Sequence, residues 1–176
     1  MSTLTITNPA TGEAIETVKT TPTGAVESVV TTARIAQKRY AHTPLDTRIA
    51  VLRRFRELLQ AQQDALAAEL SAQMGKPITQ ARAELAACDE RIGFFLDETP
   101  AALAAEVWSQ PAPGTTGELV RFEPIGVVAN ISAWNYPFFV GLNVIVPALL
   151  TGNAVVYKPS EITPLTGLSL ARVFKE

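Results

Sequence analysis

Polar and apolar residues alternate at the start of the chain, where Leu4-Thr5-Ile6 and Ala14-Ile15-Glu16-Thr17-Val18 flank Asn8-Pro9-Ala10-Thr11-Gly12. Two runs of period two around a cluster of turn formers predict a β-hairpin, small and at an edge. The period then lengthens. Thr21-Pro22 reads as an N-cap with proline at the first helical position, and Val26, Val29, Val30, Ala33 and Tyr40 follow at helical spacing. From about Leu45 to Ala72, Ile49, Leu52, Leu59, Leu66 and Leu70 keep one face, while Arg48, Arg53, Arg54, Arg56 and Glu57 point mostly elsewhere. That pattern predicts one long amphipathic helix. Gly75 and Pro77 end it, and a third stripe runs through Ile78, Ala81, Leu85, Cys88, Ile92 and Phe95 in steps of three and four.

The pattern changes at Pro111-Ala112-Pro113-Gly114-Thr115-Thr116-Gly117. Two prolines and two glycines predict a linker over 111–118, between an amino-terminal hairpin and helical region (1–110) and a second unit (119–176). Glu118-Leu119-Val120-Arg121-Phe122-Glu123 alternates like a strand with one wet face, and Gly126-Val127-Val128-Ala129-Asn130-Ile131 is suited to a sheet interior. An apolar helix follows Trp134-Asn135-Tyr136-Pro137 and runs to about Thr151; Gly152-Asn153 stops it, and Ala154-Val155-Val156-Tyr157 is a second buried strand. Strand, crossover helix and strand make a βαβ unit with parallel strands. Trp134-Asn135 and Lys158-Pro159-Ser160-Glu161 then both lie at carboxyl strand ends, where open α/β sheets bind ligands. Thr163-Pro164 starts one more helix, with Leu165, Leu168 and Phe174 apolar.

Composition narrows the function. With 47% apolar and 18% charged residues among 176, the chain is globular in type. Fifteen basic against seventeen acidic residues leave a net charge of −2 and no basic run, which argues against nucleic acid as a partner. The longest apolar stretch, Pro137 to Leu150, is interrupted by Gly141, Asn143 and Pro147 and falls short of the roughly 20 residues that a membrane helix needs. The start has no secretory or organellar pattern, so the expected compartment is the cytoplasm. One cysteine and one histidine leave no metal-ligand spacing, and Cys88 reads as a small core residue.

Glu123-Pro124-Ile125-Gly126-Val127-Val128, Trp134-Asn135-Tyr136-Pro137, Pro147-Ala148-Leu149, Gly152-Asn153 and Lys158-Pro159-Ser160-Glu161 resemble the aldehyde dehydrogenase superfamily in order and spacing. Asn8-Pro9-Ala10-Thr11-Gly12-Glu13 and Gly75-Lys76-Pro77 extend the resemblance over the whole chain. It implies an α/β fold in which a partial Rossmann-type parallel sheet follows an amino-terminal helical region. It implies oxidation of an aldehyde to a carboxylic acid through a cysteine thiohemiacetal, with hydride transfer to NAD or NADP, in a protein that is homo-oligomeric at full length.

By the same resemblance, Asn135 donates its side-chain amide to the oxyanion formed when the cysteine attacks. Such a preorganised donor contributes roughly 3 kcal/mol. Read without the resemblance, Asn135 is equally an N-cap of the apolar helix, and the two roles are compatible. Lys158, Pro159, Ser160 and Glu161 correspond to the turn that holds the adenine-side ribose. Glu161 there accepts from the 2′ and 3′ hydroxyls, which favours NAD over NADP, while Lys158 attracts a phosphate. The plain alternative is a solvated loop capped by Ser160 or Thr163. Ser132, Ala133 and Trp134 correspond to the nicotinamide side, with core packing the alternative for Trp134. Phe139, Val140 and Asn143 correspond to one wall of the substrate tunnel, with core packing the alternative for the two apolar residues.

Two departures stand out. Ala133 replaces a proline common in the family, and Val144 replaces a lysine that many members carry nine residues after the asparagine; the second weakens a betaine-aldehyde assignment. The cysteine nucleophile, glutamate base and glycine-bearing pyrophosphate turn are expected beyond Glu176. The chain therefore reads as an amino-terminal portion, inactive in isolation, with exposed strand edges and an uncovered apolar helix. The alternative is a non-catalytic module that associates with a full-length relative.

Overall fold

The computed structural model describes residues 2–110, 113–114 and 116–176. The opening hairpin forms as the alternation predicts: β1 (Thr3–Thr7) pairs antiparallel with β2 (Ala14–Lys19), with a register irregularity between Ile6 and Thr7. The turn closes through Asn8, whose carbonyl accepts from the Gly12 amide at 2.8 Å, and Gly12 takes φ 75°. Thr21 does not cap the next helix. A 3-10 turn at Thr23–Ala25 intervenes, and α1 spans Val26–Tyr40 with no side-chain cap.

The single long helix predicted over 45–72 is two: α2 (Leu45–Ala61) and α3 (Gln63–Met74), interrupted at Gln62 with φ −102° and ψ 8°. The break falls where the apolar stripe has a gap, since Gln62-Gln63 stand between Leu59 and Leu66 and bring no buried side chain to the face. Phe55, absent from the expected stripe, is also buried. Gly75 ends α3 in the left-handed region, φ 73°. Helix α4 (Ile78–Ala102) outruns its predicted stripe: it buries Ala81, Leu85, Cys88 and Ile92 as expected and adds Glu84, Leu96 and Thr99, while Ile78 is exposed.

One strand was not legible beforehand. β3 (Glu106–Ser109) pairs antiparallel with β4 (Glu118–Val120), so a hairpin joins the two sides of the expected 111–118 linker; Pro111, Ala112 and Thr115 of that linker lie outside the described residues. β4 is shorter than the predicted 118–123 strand and is exposed throughout.

The βαβ unit is present. β5 (Val127–Ile131) and β6 (Ala154–Lys158) are parallel, in register from Val127 against Ala154 to Ile131 against Lys158, and α5 (Pro137–Leu150) connects them. Alternation assigns the faces. Val127, Ala129, Ile131 and Val156 line a groove with Val26, Val29 and Val30 of α1, while Asn130 and Tyr157 reach α5. Helix α5 is not uncovered, as expected from sequence, but packs between the sheet and α4, with Phe138, Leu142, Ile145, Val146 and Leu150 buried. Apolar groups left in solvent include a cluster in and after the β3–β4 region, Val107, Trp108, Leu119, Phe122 and Ile125, and Ile131 at the end of β5. Helix α6 (Pro164–Val173) packs on α3 and α2, and Phe174 stacks on Phe55 at 3.9 Å.

The stop of α5 is what aligns the two strands. Gly152 (φ 83°) donates to Leu149 O at 3.1 Å and Asn153 donates to Ala148 O at 2.9 Å, the two bonds of a Schellman motif. The Asn153 side chain then accepts from the Gly126 amide at 2.8 Å and donates to Thr151 Oγ1 at 2.8 Å, tying the start of β5 to the end of α5. Asn153→Ala leaves the Gly126 amide without its acceptor, and we expect a loss of about 1–3 kcal/mol in urea unfolding. An unchanged midpoint would show that solvent replaces this bond.

Candidate functional site

The carboxyl ends of β5 and β6 meet. Ser132, the first residue after β5, donates its amide to Lys158 O at 3.0 Å and is itself buried. Lys158 closes β6, and its ammonium meets Glu161 Oε2 at 3.0 Å across the turn, both side chains being exposed. The Glu161 amide and then Lys158 hold the Glu161 carboxyl below the usual carboxylate range. Ser160 is buried; its hydroxyl accepts from the Ile162 amide at 3.2 Å, which organises the turn. Pro159 is half-buried and packs beside Gly167 of α6, where an added Cβ would approach Pro159 Cγ to 2.6 Å. Thr163 is buried and its side chain caps nothing; its Oγ1 has no partner among the described residues.

On the β5 side, Ala133, Trp134 and Asn135 are exposed. Asn135 is not an N-cap: the capping position of α5 is Tyr136, with φ −138° and ψ 63°, and no local side chain caps the helix. Trp134, half exposed, is not a core residue. Phe139, Val140 and Asn143 are half-buried and, at spacings of one and three, share one side of α5. The described structure thus brings Ser132 to Lys158 and Lys158 to Glu161, and places Asn135 on the loop that leads into α5.

Four side chains that sequence reasoning passed over organise this edge. Glu84 Oε1 accepts from the amides of Phe138 at 2.9 Å and Phe139 at 3.2 Å, so a carboxylate from α4 caps α5. Its other oxygen meets Lys76 Nζ at 2.5 Å, in a pair whose side chains are 5% and 0% exposed. Lys76 also donates to Asn135 O at 2.8 Å and lies 3.7 Å from the centre of the Tyr136 ring. Gln73 does for α6 what Glu84 does for α5: its Oε1 accepts from the Leu165 amide at 3.2 Å and its amide donates to Thr166 at 3.1 Å. Tyr157 Oη reaches Pro137 O at 3.4 Å beside Gly141, and burial pushes its phenol up against the opposing effect of Ser132. The available signal was Glu84 itself, a charged residue at a stripe position between Ala81 and Cys88.

Cys88 is fully buried; burial and then Glu84 push its thiol up, and the nearby cation Lys76 does not offset them. No cluster of three His, Cys, Asp or Glu suited to a metal occurs among the described residues. No helix there is long and apolar enough to cross a membrane.

Residues 1–176 match the family model described as "Aldehyde dehydrogenase family". The chain is 37% identical over 171 residues to 3,6-anhydro-alpha-L-galactose dehydrogenase of Streptomyces coelicolor, covering 97% of this chain and 34% of that protein. Among solved structures, betaine aldehyde dehydrogenase of Staphylococcus aureus, in complex with NAD+, superposes with a TM-score of 0.91 at 30% identity, over 99% of this chain and 35% of that one. The NADP-dependent glyceraldehyde-3-phosphate dehydrogenase of Bacillus halodurans, complexed with NADP, gives 0.90 at 28%, over 99% and 37%. The chain thus spans about a third of the length of these relatives. With the family model matched from end to end and the parallel β5–β6 pair in place, the chain belongs to the aldehyde dehydrogenase family.

Proposed function

We propose that this chain supplies the oxyanion asparagine and the ribose-binding turn of an NAD(P)-dependent aldehyde dehydrogenase that converts an aldehyde to a carboxylic acid. The observation that carries the reading is the β5–β6 edge, where Ser132 bonds Lys158 and the loop beyond it holds Asn135 in solvent at the start of an apolar helix. An exposed carboxamide that caps nothing is free to donate to charge that develops on a substrate oxygen. Phe139, Val140 and Asn143 extend from it as one wall of the aldehyde passage.

NAD or NADP supplies the hydride acceptor when bound. Lys158, Pro159, Ser160 and Glu161 are the residues that hold its adenine-side ribose, and Ser132, Ala133 and Trp134 lie towards the nicotinamide. The ionised, exposed Glu161 accepts from a ribose diol and repels a 2′-phosphate, which supports NAD as the preferred cofactor. Relatives of this chain are described with either cofactor. The nucleophile comes from outside residues 1–176, because the one cysteine of this chain is buried with a raised thiol. We place the protein in the cytoplasm, as a homo-oligomer at full length, with residues 1–110 and 119–176 as the two regions that build this edge. The second reading, a non-catalytic module bound to a full-length relative, is favoured by the exposed Val107, Trp108, Leu119 and Phe122.

In the full-length enzyme carrying this segment, Asn135→Ala should lower kcat about 10²–10³-fold with cofactor affinity unchanged, read by steady-state rates and NAD titration. Residues 1–176 alone should form no NADH from any aldehyde; activity lost on Asn135→Ala would overturn that. Glu161→Gln should raise the affinity for NADP relative to NAD, and an unaltered ratio would remove Glu161 from cofactor selection. Cys88 should react with a thiol reagent only as the chain unfolds, so labelling in buffer as fast as in urea would restore it as a candidate nucleophile.

A further inference from the structure

Asn135 makes no side-chain hydrogen bond among the described residues, so its direction is set by the backbone that carries it. That backbone is held from both sides by one buried ion pair. Lys76 grips the Asn135 carbonyl at 2.8 Å and covers the Tyr136 ring, while Glu84 grips the amides of Phe138 and Phe139. A carbonyl fixed in direction fixes the peptide plane beyond it, and with it the course of the chain between Asn135 and α5.

We propose that Lys76 and Glu84 are positioning residues that aim the Asn135 amide at the reacting oxygen, an inference that rests on the oxyanion role given to Asn135 above. Stability alone does not account for the pair. A well-packed apolar pair in place of a buried ion pair is often neutral or stabilising. Such a pair fills the same space but cannot hold one carbonyl and two amides. The placement also suits the chemistry. The pair is sealed from solvent at 5% and 0% exposure, whereas Asn135 is open. Lys76 comes from the α3–α4 junction and Glu84 from α4, which packs on α3 and α5, so the loop takes its geometry from elements packed in the core. Gly75 helps to set Lys76: its left-handed φ of 73° ends α3, and Ser71 Oγ donates to Lys76 O at 2.7 Å. Misplacing a reacting group by about 1 Å can cost a hundredfold in rate.

The test is a cycle in the full-length enzyme. Lys76→Met/Glu84→Leu replaces the ion pair by apolar groups and should fold; it should lower kcat roughly 10- to 100-fold with the NAD dissociation constant unchanged. In an Asn135→Ala background the same double substitution should alter kcat by less than about twofold, because no amide remains to be aimed. Hydrogen exchange at the Phe138 and Phe139 amides should rise about tenfold in both backgrounds, reporting the lost cap directly. Lys76→Arg keeps the cation but changes its reach, so it serves if the double variant does not fold; it too should lose kcat only where Asn135 is present. An equal loss of kcat in both backgrounds, or no loss in either, would overturn the proposal. If Asn135→Ala alone leaves kcat intact, the oxyanion reading has failed, a result separable from failure of the pair.

Discussion

Helix α5 begins with no cap of its own, and the carboxylate of Glu84, fifty-four residues earlier in the chain, supplies one. The first amides of a helix need acceptors, and in a βαβ unit they point towards the carboxyl edge of the sheet, where a ligand also has to fit. A local Ser, Asp or Asn cap would place its side chain inward onto the helix. Here the remote carboxylate takes that duty from beneath, inside the core, and Asn135 stays in solvent. Gln73 repeats the arrangement for α6, so the α3–α4 region caps both helices that follow the parallel strands.

That arrangement explains why the amino-terminal helices belong with the sheet. Burying a carboxylate is costly unless it is paired and hydrogen-bonded, and Glu84 meets both conditions through Lys76 and two backbone amides. The pair needs α4 and α5 side by side. The buried stripe of Leu85, Cys88 and Ile92 against Phe138, Leu142 and Ile145 provides that contact. Apolar packing brings the two helices together, and the ion pair specifies how the loop at their end is held. The same division appears at the far end of α5, where the Schellman turn is local but Asn153 secures Gly126, the residue just before β5.

Much of this was legible in the residue pattern. The opening hairpin, α1, the stripe of α4, the apolar helix with its Gly152-Asn153 stop and the two parallel strands all follow from periods of two and 3.6 and from turn chemistry. So did the placement of Trp134-Asn135 and Lys158-Pro159-Ser160-Glu161 beyond the same edge of the sheet, because parallel strands joined by one crossover end on the same edge. The misses have physical causes. The break at Gln62 is a single residue in an otherwise helical run, and propensity carries no mark for it. β3 is held by its partner β4, whose exposed residues leave no buried face to produce a period.

What the sequence determined by itself was most of the elements, apart from β3 and the break between α2 and α3, their order, and the residue types available at the sheet edge, since these rest on contacts between near neighbours in the chain. Whether Asn135 caps a helix or faces solvent was left open by the same residues, because both uses need the same carboxamide before the same apolar run. Only the tertiary structure decided it. The competing acceptor, Glu84, arrives from another helix, and its register against α5 depends on how the whole apolar interface packs.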